Sequence, residues 1–466
     1  MFSPETRGRL AVALVVCGLF FAFAGDGISA YFTPDDMMNL YRAWSASPAD
    51  LLGQDRPLGQ AVYRGLFSLA GLHPLPFRLV AFALLAGNLA LLYRFCVRLA
   101  GSRETAALTC LIGAYHAHLA DLYYSTGAIY DLLCCFFVLW ALGNYVGIRQ
   151  GGRYADWRQQ AALLALYICA LASKEMAVAL PVYVVLYEAL YAGNLGTWLR
   201  RGAAFWWVSL ALTVAYTMVK TGGPYAMTAN PDYALRFTAH AFFSGWKHYL
   251  GDLFYGAIVF NTLKTVLLFA AMLALALYTR RREILFAWVV AVAGALPVIF
   301  IPPRGFFAIY LALPGWYLFA AGALVWARDG VARRLPQWAA ALGARPEQVM
   351  LFVALVAILV PLHWHQKPLG NYWVEGSYRE VRSVLDPLDR AGPLRPGARV
   401  LFLADPFDPG DWILSNMFRL HYRDRALQVD RVKDHPDLAA AAARYDRVYV
   451  LDSHGLRQIH DGAKPF

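Results

Sequence analysis

Two adjacent carboxylates, Asp35 and Asp36 in the run Thr33-Pro34-Asp35-Asp36, are the residues of this chain best suited to chemistry. An acid at the start of a helical run can accept the unsatisfied backbone N–H groups of the first turn. Capping occupies one acid and leaves the second unexplained. A free carboxylate beside a cap can take the proton of a hydroxyl nucleophile, which is general-base chemistry. Both readings of the pair, cap and catalyst, stay open on the residues alone.

Cations form the complementary set. Ser173-Lys174-Glu175 interrupts two apolar stretches, where an adjacent opposite-charge pair is costly unless it is solvated or partnered. Arg56 precedes Pro57, and Arg304 follows Pro302-Pro303, so both are guanidinium groups held by rigid backbone. Such groups suit bidentate binding of phosphate, and an ordinary lipid-headgroup contact competes with that role for each. The same boundary receives Asp131.

His116 and His118 are followed by Asp121, Tyr123 and Tyr124. Histidines two apart point to different sides of a helix, which disfavours one shared metal. A buried, hydrogen-bonded imidazole is the plainer reading, and His116 and Tyr123 are retained as substrate-side candidates. His240, Lys247 and His248 read as an interfacial helix face. In the same outer loop, Tyr225 and Tyr233 are candidates for substrate contact.

The elements that must position these residues are membrane helices. The chain has 466 residues, 59% hydrophobic and only 16% charged, with a mean hydropathy of +0.43. A soluble domain carries about a quarter charged residues, so disorder, a secreted disulfide scaffold and a cytosolic enzyme are excluded together. Eleven apolar runs of near-spanning length are expected, at about 10–24, 77–97, 105–120, 127–148, 159–173, 176–192, 203–220, 263–279, 284–301, 305–326 and 347–362. The six cysteines fall in these stretches and indicate neither a disulfide framework nor a zinc site.

Charge orients the helices. The net charge is +11, and almost all of the excess precedes His363. With a cytoplasmic N-terminus, 17 of the 27 basic residues before His363 fall in inner segments, which is the positive-inside pattern. An odd helix count then places the tail outside. The expected organisation is a helical membrane domain over 1–362, with long outer loops at 25–76 and 221–262, and an extracytoplasmic α/β domain over 363–466. The tail alternates strand-like segments (399–404, 426–429, 446–451) with helix-like ones (411–421, 437–444), and it has no Gly-rich phosphate fingerprint. No aromatic-basic constellation favours nucleic acid.

With Asp35-Asp36, Arg56-Pro57 and Lys174-Glu175 on one face of a polytopic chain, the sequence resembles the GT-C superfamily of membrane glycosyltransferases. Its nearest likeness there is to the protein O-mannosyltransferase and aminoarabinose-transferase branch. The resemblance implies inverting transfer of a sugar from a polyprenyl-phosphate donor to a glycan, lipid or protein hydroxyl, in a bacterial inner membrane. It makes Asp35 the base, with Asp36 assisting or capping, and Arg56, Lys174 and Arg304 the phosphate ligands. Some superfamily members use a divalent metal near the acidic pair, which would make Asp36 and Glu175 its ligands. A transporter or flippase of lipid-linked sugars is the alternative, but it should carry charges or helix breaks near midmembrane in both halves. A noncatalytic envelope scaffold is the other alternative, and it predicts that Asp35 is dispensable.

Overall fold

The computed structural model describes residues 4–53, 55–222, 226, 230–334, 346–453 and 455–461. Tyr225 lies outside these residues. The chain divides into two compact units, one of residues 1–26, 81–120 and 128–370, the other of residues 27–80, 121–127 and 371–466.

The first unit is helical. Among the described residues of the whole chain, six helices are long and apolar enough to cross a membrane. The count rises to seven if Leu195–Arg201 and Ala204–Gly222, bent by 79°, form one broken span. The protein is an integral membrane protein with fewer unbroken spans than its eleven apolar runs suggest. The differences lie where the backbone is interrupted. The run at 105–120 folds as Arg103–Gly113 followed by a short 3-10 turn, Ala117–Leu119. The run at 176–192 becomes a 3-10 turn, Glu175–Ala179, leading into Leu180–Tyr191. Pro181 at the start of that helix suits a first turn, whose N–H groups are unsatisfied anyway.

Helices pack closely through small residues. A Cβ at Gly315 would lie 2.4 Å from the backbone nitrogen of Ala291, so only glycine lets helix Leu313–Arg334 approach helix Arg282–Ala293 as it does. Polar caps start the helices. Ser102 accepts from Thr105 N–H, and Asp156 forms a reciprocal capping box with Gln159.

The second unit holds helices Pro34–Ser45 and Pro57–Ala70, which pack on one another, and the C-terminal sheet. Its strands β1 (Arg399–Ala404), β2 (Gln428–Arg431), β3 (Arg447–Asp452) and β4 (Gly455–Asp461) lie in the order β2-β1-β3-β4. Strand β1 is parallel to β2 and β3, and β4 closes the sheet antiparallel to β3. Amphipathic helix Ile413–Tyr422 carries the chain from β1 to β2, and the 3-10 segment Pro436–Arg444 carries it from β2 past β1 to β3. Leu401, Tyr445 and Val448 form a buried cluster against the sheet. The last apolar run does not stop at 362. It continues as one helix from Pro346 to Leu388, and the first strand of the sheet follows at Arg399.

Candidate functional site

The acidic pair is split by its helix start. Thr33, not an aspartate, is the N-cap of helix Pro34–Ser45, and Pro34 occupies the first turn. Asp36 completes the capping box. Its Oδ2 accepts the Thr33 N–H at 2.8 Å, while Thr33 Oγ1 accepts the Asp36 N–H at 3.3 Å. Asp36 Oδ1 accepts the Ser125 hydroxyl at 3.2 Å, and Ser125 Oγ in turn accepts the Gly127 N–H at 3.0 Å. The Asp36 carboxylate is fully buried, as is the Arg78 guanidinium, whose Nη2 lies 3.7 Å from Asp36 Oδ2. Arg78 also donates from Nε to the Ala30 carbonyl and from Nη2 to the Tyr31 carbonyl. The positive end of the helix and a buried cation together hold the negative charge of Asp36.

Asp35, one residue earlier, is exposed. Its backbone carbonyl accepts the Asn39 side-chain amide at 2.9 Å. Gly127 lies over the pair: a Cβ there would sit 3.1 Å from Ser125 Oγ, 3.7 Å from Asp36 Oδ1 and 3.8 Å from Asp35 Cβ. Arg56 is the half-buried residue at the N-terminus of helix Pro57–Ala70, where it makes no side-chain cap. Tyr123 is buried, its ring edge-on to Tyr124.

The first unit holds the other candidates. Lys174, buried at the start of the 3-10 turn, places Nζ 2.5 Å from Asp131 Oδ1, with both side chains almost wholly enclosed. The ammonium also lies 5.2 Å from the centre of the Phe307 ring. Glu175 follows, half-buried. Arg304 is more open. Its Nη1 is 3.6 Å from Asp232 Oδ2 and its guanidinium sits 4.8 Å over the Tyr233 ring. Its backbone is fixed at both ends, since N–H donates to Tyr249 Oη and the carbonyl accepts from His248 Nε2. Tyr233 is thus the aromatic floor under Arg304.

His116 is the packed histidine of the plainer reading. Nε2–H donates to the Leu253 carbonyl at 3.2 Å, Nδ1 accepts the His118 N–H at 3.3 Å, and the ring stacks on Tyr255 at 4.2 Å. Both ring nitrogens are therefore used inside the protein. His118, His248 and Asp252 cluster nearby, with Asp252 within 3.4 Å of each imidazole.

A divalent metal does not fit Asp36. Both of its carboxylate oxygens already accept hydrogen bonds, and a guanidinium stands where a cation would need to approach. Among the described residues, no group of three or more His, Cys, Asp and Glu side chains is arranged to hold a metal.

Sequence reasoning missed Arg78 and Ser125. A signal existed for the first, an arginine one residue inside an apolar run, since a charge there demands a partner. Ser125 carried none, because a single serine between helices is common.

No protein-family model and no curated protein sequence matches this chain. Among solved structures it is similar to ArnT from Cupriavidus metallidurans bound to undecaprenyl phosphate, with a TM-score of 0.52, 15% identity and 97% of each chain covered. The likeness extends over 97% of the chain, so the protein has an ArnT-like fold and is a helical membrane protein.

Proposed function

We propose that this protein transfers a sugar from a polyprenyl-phosphate donor to an acceptor hydroxyl at the extracytoplasmic membrane face. The observation that carries this reading is the division of labour at Thr33–Asp36. One carboxylate is locked as part of the helix start, and its neighbour is left exposed on a rigid turn. The ArnT structure, bound to undecaprenyl phosphate, supports a lipid phosphate as the leaving group.

The roles follow from charge. Asp35 takes the proton of the acceptor O–H as that oxygen attacks the anomeric carbon. The bond from that carbon to the phosphate oxygen breaks, and the electron pair leaves with the polyprenyl phosphate. A departing phosphate needs fixed positive charge, which acts most strongly where water is excluded. Arg304, half-exposed and paired at 3.6 Å with the solvent-exposed carboxylate of Asp232, is the strongest candidate ligand. Arg56 is the second. Lys174 is already neutralised by Asp131, so it serves phosphate only as a member of that pair.

The test is release of polyprenyl phosphate by purified protein given a lipid-linked sugar and a mixed pool of envelope acceptors. Absence of release with every donor sugar tried would sink the transferase reading in favour of a carrier or a scaffold. Arg304→Met should weaken turnover by about 10- to 100-fold if its contact with phosphate is desolvated, because charge-assisted hydrogen bonds contribute roughly 1.5–3 kcal/mol. Lys174→Met should instead destabilise the protein, since it removes the cation paired with Asp131 in a nearly closed site. Equal, small effects on turnover and stability for both variants would return them to headgroup anchors.

Orientation is tested separately, in a chain stripped of its six cysteines. A Ser453→Cys variant should react with an impermeant maleimide in intact cells, and a Ser102→Cys variant should react only after permeabilisation. The opposite pattern would put the acidic pair in the cytoplasm and remove the lipid-linked donor from consideration.

A further inference from the structure

Helix Ile129–Gln150 carries Asp131 in its first turn, and about 24 Å further along its axis, at 1.5 Å per residue, Gly147 opens a second polar place. A cavity of about 330 Å³ lies there, lined by Arg98, Asn144, Gly147, Arg153 and Gln159, with aliphatic side chains on the rest of its wall. That volume is at the lower end of ligand-sized pockets. No carboxylate lines it.

The charge in this cavity is uncompensated. A third arginine at the same helix end shows the contrast: Arg149 gives Nε and Nη2 to the fully buried Glu188 carboxylate, at 2.6 and 3.1 Å. Arg98 gives Nη1 only to the Gly143 carbonyl, and neither Arg98 nor Arg153 has a carboxylate partner among the described residues. The Asn144 amide likewise has no hydrogen-bond partner among them. Gln159 spends its side-chain oxygen on the Asp156 N–H, which leaves its NH2 group to donate. Asp156, three positions before Gln159, is occupied in that same capping box, its Oδ1 accepting the Gln159 N–H at 2.9 Å. Gly147 leaves room for the Arg98 guanidinium beside the helix, since a Cβ there would come within 2.9 Å of it.

A second observation is a pair of exposed aromatic residues beside the site in the chain. Trp157, 74% exposed, and Tyr154, under the Arg149 guanidinium at 4.5 Å, flank the cavity in sequence. Exposed aromatics of this type sit at the level of lipid headgroups. Two forked guanidinium groups and two amides, with no competing acid, match the oxygens of a phosphate. We propose that this cavity binds the phosphate of an anionic phospholipid, as a structural lipid site separate from the transfer chemistry and independent of that reading.

The test uses the purified full-length protein in detergent, with dioleoylphosphatidylglycerol or inorganic phosphate added, and reads retained lipid by native mass spectrometry and the midpoint of thermal unfolding. The wild type should retain phosphatidylglycerol and gain stability from it. R98Q/R153Q should weaken retention by about tenfold or more, as expected for loss of charge-assisted hydrogen bonds. Asn144→Asp, which adds a carboxylate to the cavity at nearly unchanged volume, should do the same and decides the matter if the double variant does not fold. R200Q/R201Q, exposed arginines of a helix that does not line the cavity, should retain lipid as the wild type does. Wild-type retention in both R98Q/R153Q and Asn144→Asp, or in Asn144→Asp alone where the double variant fails, would overturn the site. Equal stabilisation by inorganic phosphate, abolished in the same variants, would uphold phosphate recognition and overturn the lipid as its source.

Discussion

Asp35→Asn should abolish sugar transfer while leaving the protein folded and able to bind its donor. The substitution keeps the shape of the side chain and removes only its ability to take a proton. General-base catalysis contributes about 10²- to 10⁴-fold, and that is the loss of turnover expected. The structural cost is small because the helix start does not depend on Asp35. Thr33 and Asp36 make the capping box, and the loss of one first-turn charge costs about 0.3–1 kcal/mol. Asp35→Glu should retain part of the activity, since the base survives and only its reach changes. Turnover measured by release of polyprenyl phosphate, beside donor affinity by competition, separates these effects. A fall in donor affinity with turnover per bound donor intact would make Asp35 a binding residue. Normal turnover in Asp35→Asn would remove it from the mechanism and leave the scaffold reading standing.

Much of this arrangement was legible in the sequence, for reasons that are physical. The excess of apolar residues required a membrane, and a polar stretch between apolar runs marked each place where chemistry can reach water. Strand β1 was readable to the residue because Val400, Leu401 and Phe402 form a short β-prone run that the sheet buries. The neighbouring β4 was not. Its Leu456 and Ile459 alternate weakly with polar neighbours, and Ile459 stays exposed, so only its pairing with β3 makes it a strand. Some apolar runs are not single unbroken helices for a related reason. Hydropathy measures how apolar a run is, whereas the backbone of 105–124 turns at Ala114–His116, where tertiary contacts to Tyr255 and Leu253 replace the helical hydrogen bonds. At the acidic pair the residues alone left cap and catalyst open, and only the resemblance divided the roles. The partners that hold Asp36, Arg78 and Ser125, are 42 and 89 positions from it and enter only through the fold.

Arg78→Met should therefore have the second large effect, on stability. The variant leaves the Asp36 carboxylate fully buried with its hydrogen bonds but without a cation, and it strips the Ala30 and Tyr31 carbonyls of their donor. Removing one partner of a buried ion pair costs about 3–5 kcal/mol. Asp36→Asn should cost less, about 1–3 kcal/mol, since the amide oxygen can still accept the Thr33 N–H while Arg78 loses its counter-charge. The double variant Arg78→Met/Asp36→Asn should be more stable than the sum of the two single losses, because neither charge is then left alone. Thermal unfolding of the detergent-solubilised protein reads all three. Additive losses would show that the two side chains do not feel one another at 3.7 Å, and the pair would then be no more than neighbours. Coupling has a functional corollary. The turn that Arg78 and Asp36 stabilise is the turn that presents Asp35, so Asp36→Asn should also lower turnover without changing its pH dependence. Loss of Asp35 itself would change that dependence, because it removes the group whose ionisation the reaction uses.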